Sequence, residues 1–212
     1  MGTNKSVTLG TLALADNTAS ASNYSLSSAT LNITQRPLNV TATKAYDGST
    51  AISSGSVTLS NLSGGQTINT SGSITTNSAN FASYGTSDIS VSSLSLADGT
   101  GAASNYTLVG GTYSATVTQK VLGLSGSRVY DATTTASPSD LTLTGLVGSE
   151  TLTLSGSGTL TSSAAGTGKT ITLNTLAISD NTGLASNYNL SGTATMNVTT
   201  RAVTATGSRV YD

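Results

Sequence analysis

The chain repeats itself, and the repeat limits what it can fold into more sharply than any single residue does. Ala21-Ser22-Asn23-Tyr24 returns as Ala103-Ser104-Asn105-Tyr106 and as Ala185-Ser186-Asn187-Tyr188, 82 residues apart both times. Leu12, Leu94 and Leu176 hold the same register, as do Asp16, Asp98 and Asp180, and Leu26, Leu108 and Leu190. A second block follows each of these, running from a basic residue to a Tyr-Asp pair: Arg36 to Tyr46-Asp47, Lys120 to Tyr130-Asp131, and Arg201 to Tyr211-Asp212. A further basic residue, Lys44, Arg128 or Arg209, stands two before each Tyr. Self-similarity at such a period marks tandem modules that stack on their neighbours.

Between the landmarks the residues alternate apolar and polar, as in Ala29-Leu31-Ile33, Tyr113-Ala115-Val117, Ala194-Met196-Val198, Leu38-Val40 and Leu122-Leu124. Period two predicts half-buried strands. Val57-Thr58-Leu59, Thr151 to Leu154 and Ile171-Thr172-Leu173 read as further strands bounded by Gly, Ser and Asn turns. No stretch of a dozen residues carries a helical period. The expected fold is all-β: a tandem array of small β-sandwich or β-grasp-like modules, each holding roughly seven strands at ordinary strand and turn lengths. In this phase residues 1–35 are the C-terminal part of a truncated repeat, 36–120 and 121–200 are complete modules, and 201–212 are the opening strand of a further one. The incomplete ends are expected to fray or to pair with a neighbour, as in a portion of a longer protein whose export signal lies elsewhere.

Composition narrows the functional classes. Cys and His are both absent, which removes disulfides, thiol nucleophiles, the common zinc ligand sets and Ser-His-Asp chemistry. Only 8% of residues are charged, with a formal net charge of −1 and no run of Lys or Arg, so there is no electrostatic footprint for nucleic acid or an anionic membrane. No apolar run approaches the ~20 residues of a membrane-spanning helix. With one Phe and no Trp, the core must be built thinly from Leu, Val, Ile, Ala and Tyr.

Several constellations invite a functional reading. The basic-Tyr-Asp triples (Lys44, Tyr46, Asp47; Arg128, Tyr130, Asp131; and 209, 211, 212) have the residue types of a sugar-binding patch. Their recurrence favours a turn after a strand, anchored by Tyr and capped by Asp. Ala132 stands where the first unit has Gly48, which puts a positive-φ turn there in question. The loops from Asp16 to Asn23-Tyr24, Asp98 to Asn105-Tyr106 and Asp180 to Asn187-Tyr188 are rich in oxygen. Each supplies one carboxylate where calcium wants several, so an Asx-turn closing a hairpin is expected. Asp140 and Glu150 fall outside the shared charge pattern and are the candidate carboxylate pair for a hydrolase, a role no other residue supports. No metal and no cofactor are expected.

Lys44-Ala45-Tyr46-Asp47-Gly48, the Asn-Tyr pairs, Gly166 to Thr170 leading into a strand, and Arg36-Pro37-Leu38 opening a unit together resemble the YDG-type and MBG-type repeats of filamentous-haemagglutinin-like bacterial adhesins exported by two-partner secretion. The resemblance implies a non-enzymatic, extracellular or cell-surface chain of stalk or spacer repeats in an adhesin or biofilm-matrix fibre. Its partners are neighbouring repeats, with other copies of the chain or surface glycans and proteins as further candidates. The alternative function is a set of multivalent, weak glycan- or protein-binding modules. The module junctions Thr34 to Pro37, Thr118 to Val121 and Thr199 to Ala202 contain no Gly, so a stiff rod is expected.

Overall fold

The computed structural model describes residues 1–211, and the Asp212 member of the third triple lies outside them. Every regular element is a strand or a single 3₁₀ turn, in agreement with the all-β expectation. The residues divide into two compact units. Unit 1 comprises Met1–Thr43, Ala51–Asn77 and Tyr84–Ala115, while unit 2 comprises Lys44–Thr50, Ser78–Ser83 and the chain from Thr116 onward.

Unit 2 is built on a six-stranded sheet. Its order is Thr135–Ala136, Gly158–Leu160, Gly166–Thr172, Tyr188–Thr199, Lys120–Val129 and Leu141–Thr144. The opening strand of the repeat, Lys120–Val129, and its closing strand, Tyr188–Thr199, lie side by side at the centre and run parallel, from Lys120 opposite Tyr188 to Val129 opposite Thr199. The flanking pairings are antiparallel. The register of the central pair slips between Leu122 and Leu124. There Gly123 and Gly192 let the backbones close in, because a Cβ on either would stand 2.7 Å from a carbonyl oxygen of the facing strand.

Alternation selects the inward face. Leu124, Ala194, Met196 and Val198 from the central strands meet Ala136, Leu160, Ile171 and Leu176 in one buried cluster. Leu154, from the separate antiparallel pair Leu152–Ser155 with Ala177–Asp180, packs against the cluster. At ~25 cal/mol per Å2 of apolar surface removed from water, such side chains hold the module together without large aromatics.

Unit 1 uses the same devices with different residues. Asn39 to Ala42 pair antiparallel with Val57–Ser60, and Ile68–Thr76 takes Leu94–Asp98 on one side and Ala51–Ser53 on the other. Leu38, Val40, Ile52, Ile74, Leu94 and Ala115 are buried there. At its N-terminal side Gly2–Ser6 pairs with Thr30–Ile33 as a separate two-stranded sheet.

Candidate functional site

The Tyr-Asp corners are stitched by their basic residue. Lys44 ends an alternating strand on its inward side, and its ammonium meets Asp47 Oδ1 at 2.6 Å and the Ser49 carbonyl. Asp47 Oδ1 also accepts the Ser49 N–H at 2.9 Å, closing the turn. Burial on its own would raise the Asp47 carboxyl, but the hydrogen bonds from Lys44 and Ser49 hold it below the usual carboxylate range. At the second corner Arg128 lies 3.3 Å from Asp131 and donates to the carbonyls of Thr133 and Thr135. Asp131 accepts the Thr133 N–H at 2.9 Å, and this bond is the main reason its carboxyl is also held low. Each Tyr N–H then ties the corner to a closing strand: Tyr46 to the Thr118 carbonyl and Tyr130 to that of Thr199, both at 2.9 Å.

The reservation about Ala132 is answered by its backbone. Gly48 has φ of 77° and Ala132 keeps the same left-handed turn at 66°. The hydrogen bonds around Asp131 hold the turn against the steric preference of an L residue.

The corner of the first repeat, Lys44–Thr50, belongs to unit 2, where it completes a buried knot. The Tyr46 hydroxyl donates to Glu150 Oε1 at 2.5 Å and the Tyr188 hydroxyl donates to Glu150 Oε2 at 2.6 Å. The two rings meet edge to face, with centroids 5.3 Å apart and an interplanar angle of 80°. Tyr188 also accepts the Val147 N–H at 3.1 Å. Beside them Asn187, almost wholly buried, takes the Phe81 N–H on its Oδ1 at 2.8 Å and donates to Asn80 Oδ1 at 3.0 Å. Burial raises the Tyr46 phenol, helped by its bond to Glu150. The same two causes push Tyr188 up to about 12.

Unit 1 has the equivalent arrangement with one partner fewer. The Tyr106 hydroxyl donates to Gln66 Oε1 at 2.6 Å and accepts the Ser63 N–H at 3.1 Å, matching Tyr188, Glu150 and Val147. Glu150 is therefore not a stray surface carboxylate. It occupies the position of Gln66, and each of its oxygens is taken by a phenol. Asp140 lies in a separate 3₁₀ turn, Pro138–Asp140, where its N–H donates to the Ser137 carbonyl. No observation joins the two as a catalytic pair.

The three acidic loops share a closure that differs from the expected Asx-turn. Asp16, Asp98 and Asp180 each accept the N–H five residues on, from Ala21 at 2.5 Å, Ala103 at 2.7 Å and Ala185 at 2.6 Å. Each carboxylate caps the start of the one-turn 3₁₀ helix that delivers the Asn-Tyr pair. Tyr106 and Tyr188 are thereby placed in the interior, whereas Tyr24 is exposed.

The YDG domain family matches the chain twice, over residues 32–117 and 113–196. The chain belongs to the YDG domain family. No curated protein and no solved structure shows significant similarity to it. The two YDG matches overlap from Tyr113 to Val117, within the strand Tyr113–Thr118 that closes the first repeat.

Proposed function

We propose that these YDG repeats are stalk or spacer modules of a large extracellular bacterial adhesin or matrix fibre, projecting a functional tip and carrying out no chemistry of their own. One observation carries the reading: Tyr46, Tyr188 and the basic and Asp side chains of the two described corners are engaged by bonds within the fold, although Tyr130 and Tyr24 stay exposed. Tyr46, from the first YDG match, and Tyr188, from the second, both hydrogen-bond Glu150, and the basic residues and Asp side chains are used in closing turns. A ligand site would keep such groups facing solvent. A Tyr that reaches from one repeat into the knot of the next suits a tandem array whose members fold as neighbours. The adhesin context rests on the resemblance of the YDG and Asn-Tyr motifs to filamentous-haemagglutinin-like proteins.

The experiment is small-angle scattering on two, four and six modules. A maximum dimension growing close to proportionally with repeat number supports a spacer. Growth nearer the square root of repeat number rejects it, as does glycan or protein capture that strengthens with repeat number, which would instead identify multivalent binding modules.

A further inference from the structure

In the second repeat the chain enters and leaves at opposite ends of one pair of strands. The closing strand of the first repeat, Tyr113–Thr118, is followed after Gln119 by the opening strand Lys120–Val129, so tension passing along the chain reaches the second repeat at Lys120. It leaves at Thr199, where the closing strand Tyr188–Thr199 ends. These two strands are direct neighbours and run parallel, with Lys120 opposite Tyr188 at one end and Val129 opposite Thr199 at the other. Pulling Lys120 back and Thr199 forward therefore slides each strand along the other. All the hydrogen bonds between them are then loaded together, whereas a pull applied to both strands at one end breaks them in turn.

Side chains fasten both ends of the pair. At the entry the Gln119 amide donates to the Ser186 carbonyl at 3.0 Å, and at the exit the Thr199 hydroxyl donates to the Arg128 carbonyl at 3.2 Å. The first repeat has the same fasteners: the Gln35 amide donates to the Ser104 carbonyl at 3.1 Å and the Thr118 hydroxyl to the Lys44 carbonyl at 3.3 Å. Its opening pairing is parallel too, with Arg36 opposite Tyr106 and Pro37 opposite Thr107. Between the fasteners of the second repeat lies a steric stop. A Cβ on Gly123 would stand 2.7 Å from the Thr193 carbonyl oxygen, and one on Gly192 would stand 2.7 Å from that of Leu122. Sliding the opening strand back brings Leu124 and then Ser125 to the place of Gly123, where a Cβ has no room.

We infer that these repeats are mechanical clamps, which carry tension along the chain by loading their opening and closing strands in shear and give way far more easily when peeled from one end. A tethered stalk has use for such strength, so the purpose of the clamp rests on the proposed spacer function. The clamp itself is a property of the sheet: scattering tests the spacer, and the direction of pull tests the clamp.

The test is single-molecule force spectroscopy on the full 212-residue chain, whose lack of Cys lets two introduced thiols define the direction of pull. Val121 and Val129 stand near opposite ends of the opening strand and are equally exposed, at 56% each, and Thr200 is exposed just past the closing strand. Val121→Cys with Thr200→Cys pulls the strands in shear, and Val129→Cys with Thr200→Cys peels them from one end. At one loading rate the shear variant is expected to unfold at a force higher by about twofold or more, because several individually weak hydrogen bonds must yield together instead of singly. Urea midpoints of the two variants are expected to agree, which makes the difference one of direction and not of stability. Equal unfolding forces overturn the inference, as does a higher force in the peeling variant. A force difference that merely follows a difference in urea midpoint overturns it as well, and each of these results leaves the spacer function to the scattering experiment.

Discussion

Tyr46 and Tyr130 end equivalent strands in equivalent corners, yet Tyr46 is 5% exposed and Tyr130 is 37% exposed. The two corners share a plan: the same backbone tie to a closing strand, an Asp-capped turn, and an inward cation paired with that Asp. What separates them is the presence of a Glu150-Tyr188 socket around Tyr46. The corner's turn and its strand tie are therefore the same whether or not its Tyr is buried, and the burial depends on the socket around the ring.

The sharpest way to break that comparison is to truncate both rings. Tyr46→Ala is expected to cost about 3–5 kcal/mol, as for other large buried aromatics. Tyr130→Ala should cost under about 1 kcal/mol in the same urea titration. Equal losses would mean that the corner, and not the socket, carries the stability.

Glu150 provides the next contrast. Glu150→Leu leaves two buried phenols without an acceptor and should lower unfolding stability by about 2–6 kcal/mol, since each unsatisfied buried group costs about 1–3 kcal/mol. Glu150→Gln recreates what Gln66 does in unit 1, because its amide accepts from one phenol and donates to the other. Its cost should be about 1 kcal/mol or less. Thermal melts of the two variants separate a need for hydrogen bonding from a need for charge.

Alkaline titration tests the same knot without substitution. Tyr188 is raised from 10.0 to about 12 in the folded chain, so between these values the native state still holds a proton that the unfolded chain has released. Its contribution is fully present below about pH 10 and is lost as pH rises toward about 12. Chemical denaturation at stepped pH should show that decline in the wild type, and a shallower one in Tyr188→Phe.

The smallest effects belong to the turn residue. Gly48→Ala places a Cβ 3.1 Å from Val147 Cγ1 at a φ of 77°, and should cost about 1–2 kcal/mol. Ala132→Gly removes strain from a left-handed residue and should gain up to about 1 kcal/mol. Calorimetry on the pair shows whether the two corners respond with opposite sign, as this geometry requires.

Much of the fold was legible in the residues. Alternation in Leu122-Leu124 and Ala194-Met196-Val198 placed both strands and their buried faces, because period two leaves only one face for the core. The Tyr-Asp corner was legible as a turn from Asp and Gly. The role of its basic residue was not, since an inward Lys or Arg reads like a surface charge until the turn carbonyls it collects are seen. The structural role of Glu150 was hidden for a similar reason: it breaks the charge pattern, and the signal that explains it is its alignment with Gln66, a polar residue that a search for charges passes over.

By itself, then, the sequence determined the repeat, the strand periodicity, and the Asp-capped turns of the Tyr-Asp corners, all set by interactions within a few residues or by side-chain alternation. Only the tertiary structure decided that opening and closing strands pair in parallel and that Tyr46 is buried where Tyr130 is not. Alternation says which way a side chain faces but not which strand or side chain it meets. That choice belongs to long-range packing, in which two phenols distant in sequence converge on one carboxylate.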